Sequence, residues 1–201
     1  IICVSENTKK DLIKFYNIKD DKISVIYHGN TFENFLPKPS DFKIKFKYFL
    51  YVGGRKRYKN FFKLAEAFKC NDQIYNEYKI ICIGGGKLLN TEKKIFLKNN
   101  IDLKKFIFYD KSDDQSLFYL YKNAEALIYP SLYEGFGMPI IEAMSLGCPV
   151  ISSKTSSMPE VFGDAALTFS PSSISELKNQ LETIAFNREK RNKIINLGLS
   201  Q

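Results

Sequence analysis

Short apolar runs rich in Ile, Val, Phe and Tyr alternate along the chain with longer stretches whose apolar residues return at helical spacing. The runs predict strands at 23–27, 48–52, 79–83, 106–109, 126–129, 149–152 and 166–169. The stretches between them predict helices near 60–70, 90–99, 114–123, 139–146, 157–162 and 173–195. Strands that are apolar on consecutive positions are buried on both faces, and strands separated by helices pair in parallel. The expected fold class is therefore α/β, a doubly wound parallel sheet of Rossmann-like type.

Local punctuation supports several boundaries. Asp113 or Asp114 can cap the helix that includes Gln115, Pro139 suits a first helical turn, and Gly147 stands where a left-handed residue should end that same helix. Residues 1–4 read as a strand, Ser5 as a helix cap and 7–16 as a helix. This opening segment, 1–20, is expected to be the end of a preceding domain, with the main domain at 21–201. The chain opens on an apolar strand without an initiator Met, so it reads as part of a longer protein. Residues 32–47, with Pro37 and Pro39, read as a polar connection.

The most informative segment runs from the strand ending at Tyr129 through Glu134, Gly135, Phe136 and Gly137 into a short helix carrying Glu142. In an open α/β sheet the ligand crevice lies beyond the carboxyl ends of the strands, where this loop must fall. Gly135 and Gly137 let the backbone approach a ligand, and the helix start offers unpaired N–H groups to an anion such as a diphosphate. Glu134 and Glu142, eight residues apart, could each accept hydrogen bonds from sugar hydroxyls, ribose on one side and a transferred sugar on the other. The plainer alternative is that Glu134 serves the helix start electrostatically and Glu142 is a solvated helix residue.

A second glycine turn follows the strand at 48–52: Gly53 and Gly54, then Arg55, Lys56, Arg57, Tyr58, Lys59 and Asn60. It would deliver Arg55 and Lys59 to the same edge, where the pair could neutralise a diphosphate without a metal; a solvated basic turn is the alternative. Lys56 and Arg57 are expected to face water. The run of glycines at 84–86 lacks G-x-G-x-x-G spacing and is weak alone.

Taken together, the E-x7-E pattern from Glu134 to Glu142, the strand-G-G-R-x-x-x-K-N pattern at 53–60, the turn at 28–30 and the Pro149-Val-Ile-Ser-Ser stretch resemble the glycosyltransferases of family 4, over nearly the whole chain. The resemblance implies one half of a GT-B architecture, the C-terminal domain that binds a nucleotide sugar, with residues 1–20 a remnant of the N-terminal acceptor domain. It implies that Arg55 and Lys59 hold the diphosphate, Glu142 binds ribose and Glu134 contacts the donor sugar and serves catalysis. Gly54 belongs to the same turn, backbone around Gly135, Phe136 and Gly137 adds contacts, and the loop at 109–112, beginning with Tyr109, meets the base. It further implies a retaining hexosyltransferase acting from a UDP- or GDP-sugar on a saccharide or lipid-linked acceptor in cell-surface polysaccharide biosynthesis. No cofactor and no divalent metal are expected. This stretch alone, lacking the acceptor half, is expected to be inactive.

Thirty basic against twenty-two acidic residues leave a formal charge of +8, which suits anionic partners, an anionic membrane surface among them, or else reflects a general bias of the source towards Lys; the expected location is cytoplasmic, at the inner membrane surface. No uncharged apolar run approaches the ~18 residues of a membrane span. The four cysteines, Cys3, Cys70, Cys82 and Cys148, are scattered without metal-ligand spacing and read as buried free thiols. His28 is the single histidine, which argues against a Ser/His/Asp triad or a His-rich metal site; it reads as a hinge residue. Ser152, Ser153 and Ser156 read as turn formers, and Glu160 as a supporting residue. The aromatics sit at core spacing, against a nucleic-acid platform. Two rival functions share this sequence, a nucleotide-binding module without catalysis and a basic nucleic-acid-binding domain. The intact Glu134, Glu142, Arg55 and Lys59 argue against the first, and steep salt dependence of oligonucleotide binding would mark the second.

Overall fold

A computed structural model describes residues 1–38, 44–110 and 113–201. Its centre is a six-stranded parallel sheet in the order β5-β4-β3-β6-β7-β8. The strands are β3 (Lys47–Val52), β4 (Tyr78–Ile83), β5 (Phe106–Tyr109), β6 (Leu127–Tyr129), β7 (Val150–Ser153) and β8 (Ala166–Phe169). Alternate residues of each strand serve opposite layers. Phe49 and Tyr51 of β3 pack with Ile80, Ile128 and Leu181 on one face, while Tyr48 and Leu50 pack with Ile81, Leu127 and Ile140 on the other. Both faces are thus dry, which is why the strands read as unbroken apolar runs.

The helices divide between these two layers. On the first lie α2 (Phe61–Lys69), α3 (Asp72–Glu77), α4 (Asn90–Lys98) and α8 (Ile174–Phe186); on the second lie α5 (Asp114–Asn123), α6 (Met138–Ser145) and α7 (Met158–Phe162). A last helix, α9 (Arg188–Ser200), packs against α6 and α8. Among the described residues no helix is long and apolar enough to cross a membrane.

Several expectations need correction. The single helix foreseen at 173–195 is two, because Asn187 leaves helical backbone (φ −107°, ψ 89°) and its side chain caps α9 by accepting the Lys190 N–H at 2.9 Å. The short α3 was not foreseen; it starts where Asn71 accepts the Ile74 N–H at 3.0 Å. The strand foreseen at 23–27 shrinks to β2 (Ser24–Val25) and does not join the main sheet. It pairs in parallel with β1 (Ile2–Cys3), so a small separate sheet ties the opening segment to the residues after it. Cys3, Cys82 and Cys148 are buried thiols as expected, but Cys70, just past the end of α2, is exposed.

Other local readings hold. Ser5 caps α1 (Glu6–Tyr16), its hydroxyl accepting the Thr8 N–H at 3.0 Å, and Asp113 caps α5 through the Ser116 N–H at 2.7 Å. Gly147 has φ +69°, the left-handed backbone that turns the chain from α6 into β7.

Candidate active site

The strand order places the site before any side chain is considered. From β3 the chain winds outward through β4 to β5, then returns to lay β6 on the other side of β3 and winds the opposite way through β7 to β8. The loops leaving β3 and β6 therefore diverge at the point where the winding reverses, and they leave a crevice there. The β3 loop carries Lys59 and the β6 loop carries Glu134.

These two side chains meet across the reversal. Lys59 Nζ stands 2.8 Å from Glu134 Oε1, with the side chains only 16% and 12% exposed. Lys59 also lies 5.5 Å from the centre of the Tyr129 ring, whose negative face favours a cation. Oε1 is buried and, apart from this ionic contact, accepts no aligned hydrogen bond among the described residues. Burial first, and the Glu134 carboxylate second, push the Tyr129 phenol far above its ordinary range, so it stays a neutral hydroxyl.

The Glu134 loop is held from behind by side chains from the end of β7 and the turn after it. Ser156 and Ser157 hydroxyls donate to the Glu134 carbonyl at 2.7 and 2.9 Å, Ser157 also to the Phe136 carbonyl at 2.9 Å, and Ser153 to the Ser131 carbonyl. Leu132 donates its N–H to the Tyr58 carbonyl at 2.7 Å, joining the two site loops backbone to backbone. Gly137, at φ +119°, lets the chain turn into α6. Of the three serines read as turn formers, Ser156 does lie in the turn, at φ +55°, whereas Ser152 and Ser153 are the buried last residues of β7, because that strand runs on to Ser153. Ser157, Thr155 and their carbonyl partners were not foreseen, because nothing in their spacing reveals which loop they face.

Glu142 is buried in the second turn of α6, and its hydrogen bonds go to neither Lys59 nor Glu134. Its Oε2 accepts the Tyr121 hydroxyl at 2.9 Å and its Oε1 the Thr31 hydroxyl at 3.1 Å. The reading of it as a solvated helix residue is thereby excluded. Burial and the adjacent Glu142 carboxylate raise the Tyr121 phenol well above its ordinary value, which preserves the donor.

Arg55 departs furthest from its expected position. Rather than facing the crevice beside Lys59, its side chain is 1% exposed and paired with Glu92 at 2.9 Å. The reason is local: the glycines at 84–86 bring four successive carbonyls onto the guanidinium, a better solvent for it than a half-open crevice. Lys56 and Arg57 are exposed, as expected. Gly54 lies at the turn, its carbonyl accepting the Tyr51 hydroxyl at 2.6 Å. Tyr109 ends β5, exposed by about a third, and its carbonyl accepts the Gly84 N–H at 3.1 Å. Of the rest of the loop expected to meet a base, Asp110 is exposed, and Lys111 and Ser112 lie outside the described residues.

The opening helix also reaches the site. Thr8 donates to the Gly135 carbonyl at 3.2 Å, and Glu160 receives the N–H groups of Glu6 and Asn7 at 2.8 and 3.0 Å. Glu160 thus caps α1 from outside. His28 packs edge-on against Phe136, ring centres 5.3 Å apart.

Comparison with known proteins gives the family and the fold. The sequence profile of the family described as glycosyl transferases group 1 matches residues 32–200. The chain is 33% identical over 189 residues, 92% of its length, to the O-antigen chain mannosyltransferase RfbU of Salmonella typhimurium. It is 30% identical over 186 residues to O-antigen chain mannosyltransferase B of Escherichia coli, covering 88% of this chain. It spans about half the length of each, 50% and 49%. Among solved structures it superposes on WaaG, a glycosyltransferase involved in lipopolysaccharide biosynthesis, with a TM-score of 0.82 over 99% of this chain and 57% of that one, at 16% identity. That likeness carries the fold, one half of a GT-B enzyme in its C-terminal form. With the profile running through both site loops and the relatives aligned along nearly the full sequence, the chain belongs to the group 1 glycosyltransferases.

Proposed function

We propose that this chain is the donor half of a retaining glycosyltransferase that passes a hexosyl group from a UDP- or GDP-sugar to a saccharide or lipid-linked acceptor during cell-surface polysaccharide assembly. The observation that carries the reading is the Lys59 and Glu134 contact at the reversal of the sheet, one cation and one carboxylate paired in a single crevice. The mannosyltransferase names of two relatives favour mannose as the transferred hexose.

In this reading Lys59 and the amides opening α6 take the diphosphate, and the amides of Gly135, Phe136 and Gly137 line its path. Negative charge grows on the leaving phosphate as the glycosidic bond breaks, and a fixed ammonium and a helix start favour that state without a metal. Glu134 accepts a donor-sugar hydroxyl once the phosphate draws Lys59 away from its carboxylate. Glu142, preset by Tyr121 and Thr31, takes ribose, with Tyr109 and Gly54 on the base side. Only one carboxylate sits beside Lys59, so the opposed pair of a double-displacement hydrolase is absent among the described residues, and a front-face transfer suits the reading better. Arg55 is not assigned a ligand contact, since its donors are already used. The charge of +8 suits work beside an anionic lipid surface where lipid-linked acceptors reside.

Calorimetric titration of the chain with UDP, GDP and ADP tests the site, and one diphosphate should bind with an affinity that Lys59→Ala weakens. In the whole protein, Glu134→Ala should lower kcat more than it weakens donor binding. Absence of binding by all three nucleotides would remove the proposal.

A further inference from the structure

The buried Arg55 leaves a question that the donor reading does not answer: a guanidinium with no path to solvent stands within a few residues of the crevice. Nε and Nη2 take both oxygens of Glu92 at 2.9 and 3.2 Å. Nη1 donates to the Gly84 carbonyl at 3.2 Å, and Nη2 reaches the carbonyls of Gly85, Gly86 and Lys87 at 3.1, 3.0 and 3.2 Å. The guanidinium also lies 5.2 Å from the centre of the Phe108 ring.

Four carbonyls in succession can converge on one cation only if the backbone turns left-handed, and the three glycines have φ of +84°, +79° and +70°. A Cβ on Gly85 would fall 2.8 Å from Arg55 Nη1 and 3.2 Å from Gly54 Cα. The turn also lies against the loop that carries Lys59. A Cβ on Gly84 would meet Gly53 backbone at 3.6 Å, and one on Gly53 would meet Lys59 Nζ at 3.8 Å. Glu92 extends the chain of contacts by accepting the Leu89 N–H at 2.8 Å, which fixes the start of α4. A neutral polar side chain in place of Arg55 could not satisfy four carbonyls and a buried carboxylate together.

We propose that Arg55, clamped by Glu92, is a positioning residue for the donor site: it holds the glycine turn at 84–86 that sets the backbone beneath the Lys59 ammonium. The inference rests on the donor reading of that crevice. It differs from a direct role in that no atom of Arg55 touches the ligand, so the ionic strength of binding belongs to Lys59 alone.

The test compares Arg55→Gln, Glu92→Gln, their double variant and Gly85→Ala in the full chain, by calorimetry with UDP and GDP across a salt series, with melting curves to confirm folding. Each single variant should bind about tenfold more weakly, the scale of one charge-assisted hydrogen bond. The double variant should be no weaker than either single, and the salt slope should match that of the parent, since no phosphate contact is lost. Gly85→Ala removes no charge and should show the same loss. Folded variants that bind as tightly as the parent would leave Arg55 merely structural and overturn the inference. So would a loss confined to Arg55→Gln with a flattened salt slope, the mark of a direct contact. Lys59→Ala separates the two levels. If it weakens binding while the Arg55 and Glu92 variants do not, only this inference fails; if the parent binds neither nucleotide, the donor reading fails with it.

Discussion

Lys59 Nζ and Glu134 Oε1 are 2.8 Å apart although their loops leave different strands on either side of the winding reversal. The contact costs little entropy to maintain, because Leu132 and Tyr58 already join the two loops by a backbone hydrogen bond of 2.7 Å. It also keeps each charge satisfied; in the proposed function a phosphate takes over the ammonium and a hydroxyl the carboxylate.

Lys59→Ala should therefore act twice. It strands a largely buried carboxylate, at a cost of roughly 3 kcal/mol in unfolding free energy, and it removes the proposed phosphate cation. Lys59→Ala together with Glu134→Gln should recover most of that stability but none of the diphosphate affinity. Urea melts and calorimetry on the same samples read both quantities, and a double variant as unstable as Lys59→Ala would show the pair carries no such coupling.

Gly137 is expected to tolerate no side chain. Its φ is +119° and an added Cβ would lie 3.2 Å from Ile140 Cδ1. Gly137→Ala should lower stability by about 1–3 kcal/mol, whereas at Gly29 an added Cβ meets nothing within 4 Å, so Gly29→Ala should leave the melting temperature nearly unchanged. Thermal melts of the two variants make the comparison.

Burial pushes the Cys148 thiol from its ordinary 9.0 up to about 12, and burial raises Cys82 as well. An unfolded thiol ionises from about pH 9 while the folded one remains neutral, so the native state loses stability as pH rises from 9.0 towards about 12 and gains none below that window. The urea midpoint should fall across that range, and Cys148→Ala should make the fall shallower. At neutral pH iodoacetamide should label Cys70 alone in the native protein, since the other three thiols are buried.

Glu160 holds the first turn of α1 through the amides of Glu6 and Asn7 and accepts the Tyr27 hydroxyl at 3.1 Å. Glu160→Ala should cost about 1 kcal/mol, the scale of a lost helix cap. Hydrogen exchange should accelerate at Glu6 and Asn7 while the β3 and β4 amides stay protected. Unchanged exchange at α1 would mean the Ser5 cap suffices.

The succession of apolar runs and helical stretches determined that this chain would form a parallel sheet covered on both faces, because each run could be buried only from two sides. The glycine turns at 53–54 and 135–137 marked the loops of the candidate site, since strand ends followed by glycine and a helix start leave free backbone at one edge. What linear spacing left undecided was which charges meet. Glu134 lies seventy-five residues from Lys59 and Glu92 lies thirty-seven from Arg55, and neither separation carries a period that points one side chain at another. Strand order brought the loops of β3 and β6 side by side and made Lys59 the partner of Glu134. The left-handed turn at 84–86 offered Arg55 four carbonyls and a carboxylate, and a cation desolvates where its donors are best met, so tertiary structure alone turned Arg55 inward and left Lys59 in the crevice.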